Sequence, residues 1–426
     1  MKTQTIALAE AFALLKDGDH LATAMAAAEP QLFFSNAHLY LRGKKDLKIF
    51  CANPNENYAC FTDPELDASL KIIPMFLTKK IRPLQGRDRV HYIPQHLSQW
   101  AHNLTQNQGV NIFWGSCTPP DARGFVSLGP SCCYESELVR KADLVILECN
   151  PGLPVTYGST YISLREVDYL IESSCPVPQL KESHEESPVH HALASHIADL
   201  IEDGSTLQIG IGSIPNSVCK QLKKKSDLGI HTEMIHNGML DLYRNGNITG
   251  HHKSFFPGKI VGSFALGDHD LYQFIHLNPG VELHPASFVN KLKTLTKNTK
   301  MISINTAVEV DITGQVCSES IGHMELSGVG GAWETHVGAQ MSPGGRGILA
   351  LTSTTKDEKT SKITFELKPG AKVSISRNDV DTIVTEYGVV SLRGRSVAER
   401  ADGLISIAHP KFREELRRQA KMVRYI

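Results

Sequence analysis

The first patterned stretch of the chain is MKTQTIALAEAFALLKDGD. Ile6, Ala9 and Phe12, followed by Leu15 or Ala13, recur on one face of a helix of period 3.6. Glu10 interrupts the apolar run and no small-residue cleavage site follows, so the pattern predicts an amphipathic helix and not a signal peptide. The helix gives way to an Asp-Gly turn, an apolar strand and a run of small residues, ALLKDGDHLATAMAAAEP. The same succession returns beyond the middle as ADLIEDGSTLQIGIGSIP, with Asp17-Gly18 recurring as Asp203-Gly204. A second match follows in the same order. KKDLKIFCAN from Lys44 to Asn53 answers KSDLGIHTEM from Lys225 to Met234, setting Asp46, Leu47 and Ile49 against Asp227, Leu228 and Ile230. Two matching supersecondary units predict two tandem open α/β domains, copies of one fold. Between them, Glu172 to His191 holds three prolines and four glutamates without a period, the composition of a linker. The expected domains are 1–185 and 186–426, the second opening with the amphipathic helix HHALASHIADLIEDG.

Composition narrows the class. The 426 residues carry 44 Lys+Arg against 45 Asp+Glu, a net charge of −1, without the basic excess of a broad nucleic-acid footprint. No apolar run approaches the ~20 residues of a membrane helix. The nine cysteines are odd in number and form no CxxC, which fits buried thiols in a reduced, cytoplasmic protein. His190-His191 and His251-His252 invite a metal reading, but no HExxH is present and the spacing suits no single helical face, so no metal site is expected.

The copies differ where chemistry would sit. Ala24 and Ala26 of the first stand where the second has Gly210 and Gly212, and Ala52 stands where it has Glu233. GIGSIP follows a strand and opens a helix, and main-chain N–H groups at such a turn bind anions or oxyanions. A dinucleotide fingerprint is the rival reading, with Glu233 as its ribose acid, but Pro215 occupies the third glycine position. Glu233 is expected to end the strand LGIHTEM, where a carboxylate can attack an activated acyl group. Gly328, Gly330 and Gly331 form a second glycine cluster, Arg346 lies among Gly344, Gly345 and Gly347 as a phosphate candidate, and Glu386 follows a β-rich run.

At these residues the chain resembles the acetyl-CoA hydrolase and 4-hydroxybutyrate CoA-transferase family, of class I type. The matching stretches are GIGSIPNSV, LGIHTEM, GQVCSESIG, SGVGG, TEYG and ERADGLISIAHPKFREEL, which span most of Gly210 to Leu416. HTEM with GQVCSESIG is most like the 4-hydroxybutyrate or butyrate branch. The resemblance implies two domains of the CoA-transferase fold and a ping-pong reaction through a glutamyl-CoA thioester. It implies Glu233 as nucleophile and the N–H groups of Ile211 and Gly330 as oxyanion donors. It further implies that Gly210, Ile211, Gly212, Ser213, Ile214, Leu326, Gly330 and Arg346 contact CoA, with Asn290 and Glu386 in the substrate pocket. CoA is then a substrate, no other cofactor is needed, and the partners are acyl-CoA, small carboxylates and a second copy in a homodimer. One departure concerns acyl preference: His236 and Asn237 stand where a small residue and Asp would be expected. A hydrolase on the same scaffold, a nicotinamide-dependent oxidoreductase and a sugar-phosphate or nucleotide sensor are the competing functions.

Overall fold

The computed structural model describes residues 3–85, 89–180 and 187–426. The middle of the predicted linker, with the expected 185/186 boundary, lies outside the described residues. Contacts divide the chain into two compact units. The first comprises Met1–Lys181, Glu233–Asn237 and Val261–Val289; the second comprises Glu182–Thr232, Gly238–Ile260 and Asn290–Ile426. This is not a single cut, and main-chain pairing explains why. The strand Met234–Ile235 runs parallel to Phe264–Ala265, Ser131 bridges Phe264, and the Ala286 N–H donates to the Cys133 carbonyl at 2.7 Å, all inside the first unit.

The first unit is built on a seven-stranded sheet in the order Gln4–Thr5, Tyr169–Glu172, Leu144–Cys149, Ile112–Cys117, His20–Thr23, Leu47–Cys51, Leu70–Pro74. Every pairing in it is parallel. Such a sheet is covered on both faces, and its strands read as continuous apolar runs; all six residues of Ile112–Cys117 are buried. The opening helix is shorter than the sequence pattern predicts, Leu8–Ala13, because Gln4–Thr5 is taken up as the edge strand. The Ala7 N–H donates to the Glu10 carboxylate at 2.7 Å and starts the helix there. Its buried face is Ala11, Phe12 and Leu15, while Ala9 and Ala13 are exposed. Phe12 meets the rings of Phe33 at 5.5 Å and Trp114 at 5.0 Å between centroids, the centre of this core.

The second unit holds a six-stranded sheet in the order Gly229–Ile230, Thr206–Ile209, Met301–Thr306, Arg346–Ala350, Thr382–Thr385, Gly388–Ser391. It is parallel except for the last pair. The helix Pro188–Asp199 opens this unit and buries Leu193, Ala194, Ile197 and Ala198.

The duplication is visible in the backbone. Gly18 and Gly204 take φ of 79° and 73°, and Asp46 and Asp227 take 54° and 56°. The Lys45 N–H donates to Asp17 Oδ1 at 3.0 Å, and the Ser226 N–H donates to Asp203 Oδ1 at 2.8 Å. The N–H groups of Gly18 and Gly204 donate to the carbonyls of Lys45 and Ser226 at 2.9 and 3.0 Å. Among the described residues, no helix is long and apolar enough to cross a membrane.

Candidate active site

In open parallel sheets, ligands gather beyond the carboxyl ends of the strands. The second unit places its glycine loop there. Gly210 still belongs to the sheet, its N–H donating to the Ile304 carbonyl at 3.1 Å. Ile211 then turns outward, 48% exposed. Gly212 adopts φ 117° and ψ −177°, a conformation that essentially only glycine enters, and the helix Ser213–Gln221 starts directly after it. A Cβ on Gly212 would meet nothing within 4 Å, so glycine is required by the backbone angle and not by crowding. Ser213 is half-buried and Ile214 is buried in the first turn.

Gly330, at φ 56°, precedes Gly331 at the cap of the helix Ala332–Met341. Thr335, in the second turn, shares hydrogen bonds with Ser303 at 3.0 Å and Asn305 at 3.1 Å. The chain re-enters the sheet at Arg346 after the other end of this helix, so the amino end of the helix stands at the carboxyl end of the sheet. No main-chain acceptor among the described residues takes the N–H of Ile211 or of Gly330. Asn290 is buried and donates through Nδ2 to Glu334 in the first turn of that helix, at 3.2 Å. Leu326 is half-buried on the approach, its N–H donating to the Glu319 carbonyl at 2.7 Å. Glu386 follows the strand Thr382–Thr385 and accepts from the Ser353 N–H at 2.9 Å and from its hydroxyl. Lys362 donates to Thr352 Oγ1 at 2.8 Å; burial pulls its ammonium below the ordinary lysine range, and Glu386 opposes that pull. Ser353 and Lys362 are residues the sequence reading missed, for they sit in polar loops without periodicity or motif.

Arg346 is not brought to this group. It is the first residue of its strand and pairs with Ile302, two residues before the Ile304 carbonyl that holds Gly210. Its charge acts on Glu202, whose carboxylate is held down first by a hydrogen bond from Lys300. Arg346, with Gly344 and Gly345, therefore occupies the amino end of the sheet.

Glu233 belongs to the first unit. It does not end a strand: Gly229–Ile230 stops earlier, and Glu233 stands immediately before Met234–Ile235. The N–H groups of Ser263 and Phe264 both donate to its carbonyl, at 2.9 and 3.1 Å. Its half-buried carboxylate acts on Cys133, whose thiol is pushed well up by burial first and by Glu135 and Glu233 after it. Glu135 is buried and accepts from the Ser131 hydroxyl at 2.6 Å, the Met25 N–H at 3.1 Å and the Tyr134 N–H at 2.9 Å. Burial lowers His236 to about 4, so its ring is neutral at neutral pH. Asn237 Oδ1 accepts from the Asp268 N–H at 3.0 Å, and a Cβ on Gly267 would stand 2.1 Å from it. Asn237 thus has a structural role of its own, while His236 is a buried, neutral ring.

Among the described residues, no three His, Cys, Asp or Glu side chains converge to hold a metal ion. Main-chain N–H donors at two glycine turns beyond the carboxyl ends of the second unit's strands are parts that suit an enzyme handling activated acyl groups. Comparison with known proteins agrees. Residues 2–181 match the acetyl-CoA hydrolase/transferase N-terminal domain and residues 267–420 its C-terminal domain. The chain belongs to the acetyl-CoA hydrolase/transferase family. It is 37% identical to a succinyl-CoA:cyclohexane-1-carboxylate CoA transferase of Geobacter metallireducens, over 98% of this chain and 95% of that one. It is 46% identical to a 4-hydroxybutyrate coenzyme A transferase of Clostridium kluyveri, over 73% and 72% of the two chains. The crystal structure of RipA from Yersinia pestis superposes with a TM-score of 0.92 at 32% identity, covering 99% of this chain and 98% of that one. The family sets aside the nicotinamide-dependent and sensor readings.

Proposed function

We propose that this protein is a CoA transferase that moves CoA between a short-chain acyl-CoA and a small carboxylate of the 4-hydroxybutyrate, butyrate or acetate kind. Glu233 attacks the thioester carbonyl, giving an acyl-glutamyl anhydride and CoA thiolate. The thiolate attacks the glutamyl carbonyl, releases the first carboxylate and leaves Glu233 as a CoA thioester. A second carboxylate reverses both steps. Every addition passes through an oxyanion, so fixed N–H donors at Ile211 and Gly330 would serve all of them. Gly210 to Ile214 and Leu326 contact CoA, and Asn290 and Glu386 line the carboxylate side. Holding the distant nucleotide of CoA keeps its thiol end against the anhydride. CoA is a substrate, and these steps ask for no metal or redox cofactor. The protein works in the cytoplasm as a homodimer, which light scattering at micromolar concentration tests.

The observation that carries this reading is the glycine turn at Ile211-Gly212, open and without a main-chain acceptor among the described residues, in a chain similar over nearly its full length to a CoA transferase. Incubation with an acyl-CoA and no acceptor should leave a thioester on the peptide holding Glu233, reducible by borohydride and located by mass spectrometry. An adduct on Glu386 instead, or none, would overturn the assignment. An adduct that turns over equally fast without any carboxylate acceptor identifies an acyl-CoA hydrolase on the same scaffold.

A further inference from the structure

Two thiols that the transfer chemistry does not use lie side by side in the first unit. Cys117 ends the strand Ile112–Cys117 and Cys149 ends Leu144–Cys149; the strands are parallel neighbours, and the two cysteines are in register. Neighbouring strands lie about 4.8 Å apart, inside the Cα separation a disulfide accepts. In-register residues of adjacent parallel strands project to the same face of the sheet. As directly paired residues of neighbouring strands, the two side chains stand next to one another. Their exposure is unequal. Cys117 is fully buried, whereas Cys149 is partly open. Cys51, Cys60, Cys132, Cys133, Cys219 and Cys317 are all buried.

We propose that Cys117 and Cys149 form a reversible disulfide when the protein meets a peroxide. Cys149 is the attacking group. It is the reachable sulfur, and the neighbouring Cys117 holds its thiol below the usual range, while Cys149 and burial push Cys117 well above it. The Cys149 thiolate attacks one peroxide oxygen, the O–O bond breaks, and hydroxide leaves, giving a sulfenic acid on Cys149. The Cys117 sulfur then attacks the sulfenic sulfur. The S–O bond breaks, the Cys117 proton leaves with the hydroxyl as water, and an S–S bond remains. Two electrons pass from the dithiol to the peroxide, and a dithiol reductant reverses the change.

Treatment of the purified protein with hydrogen peroxide should lower its intact mass by about 2 Da, the loss of two hydrogens that disulfide formation requires. Peptide mapping should find one cross-link, Cys117 to Cys149, that dithiothreitol removes. In Cys117→Ala the cross-link should vanish and dimedone should label Cys149, because the sulfenic acid has lost its resolving thiol. In Cys149→Ser, with the partly open sulfur replaced, neither mass loss nor dimedone label should appear at this strand pair. A wild-type protein that accumulates the dimedone label on Cys149 without a cross-link overturns the proposal. So does a cross-link from Cys149 to Cys175, the other partly exposed thiol.

Discussion

Asp17-Gly18 and Asp203-Gly204 fold the same turn, yet the strands that leave them run into loops with opposite contents. After His20–Thr23 the chain passes through Met25, Ala26, Ala27 and Ala28, each at most 3% exposed. Ala26 takes φ 54° there, a conformation glycine adopts more cheaply. The loop is closed by its own copy: Asn55 Nδ2 donates to the Ala26 carbonyl at 2.6 Å, and buried Glu29 accepts from the Tyr58 hydroxyl at 2.5 Å and the Asn55 N–H at 3.0 Å. After Thr206–Ile209 the second copy presents Ile211 and Gly212 to solvent instead. Both copies inherit a strand-to-loop turn with main-chain donors. What separates them is whether neighbouring side chains fill the space in front of it, and whether the next strand leads to Ala52, 1% exposed, or to Glu233.

The comparison breaks most sharply at that last pair. With Glu233 as the proposed covalent nucleophile, Glu233→Gln should lower transfer by ~10⁴-fold or more. Ala52→Glu should give no gain in turnover and should lower the melting temperature, because it buries a carboxylate with no designed partner. Steady-state kinetics and thermal melts of the two variants decide this, and a rise in turnover in the Ala52 variant would mean the first copy keeps a working site.

The loops come next. Gly212→Ala should lower kcat by ~10²–10³, the usual cost of losing one oxyanion donor, with a much smaller change in melting temperature. The damage acts through the backbone. A Cβ at Gly212 meets open space, so only the angle φ 117° resists it. The matching change Ala26→Gly should leave turnover untouched. Equal kinetic losses in both variants would show that neither loop is specialised.

Much of this contrast was legible in the sequence. The repeat, the glycine-for-alanine exchange and Glu233 were read from aligned residues, because local turn chemistry at Asp-Gly is written in local sequence. The residues that failed were those whose place depends on partners far along the chain. Glu233 was expected in the second domain, yet Met234–Ile235 pairs with Phe264–Ala265 and joins it to the first unit. Arg346 beside glycines suggested phosphate binding, but which end of the sheet it occupies is decided by strand direction, not by its neighbours. Ser353 and Lys362 at Glu386 had no periodicity to mark them.

The closed loop of the first copy should also have a pH signature that the open one lacks. Burial pushes Glu29 up to about 7 and Glu148 up to about 8, the latter against hydrogen bonds from the Leu32 and Phe33 N–H groups at 2.9 and 2.8 Å. A raised folded-state value means the unfolded chain ionises first as pH rises. The contribution to stability is fully present below the unfolded value of 4.5 and is lost as pH climbs through about 7 and about 8. Urea titrations should therefore find the first unit weaker at pH 8 than at pH 5. Glu29→Gln keeps an acceptor for Tyr58 and Asn55 and should recover on the order of 1–3 kcal/mol at pH 8. An unchanged pH slope in that variant would place the titration elsewhere.

The smallest expected difference lies in the shared turn itself. Gly18 and Gly204 are both left-handed, so alanine at either should cost roughly 1–2 kcal/mol from the backbone alone. Their surroundings differ. A Cβ on Gly18 would meet nothing within 4 Å, whereas one on Gly204 would stand 3.3 Å from His252 Cβ. That is tighter than ordinary contact, and the atom it meets is fixed to the backbone and cannot rotate away. Gly204→Ala should therefore lower the urea midpoint of its unit more than Gly18→Ala lowers that of the first. Turnover at 25 °C should stay near wild type in both, because neither glycine reaches the carboxyl ends of the sheets. If Gly18→Ala proves the costlier change, the turn is held by its angle alone and the contact with His252 yields without resistance.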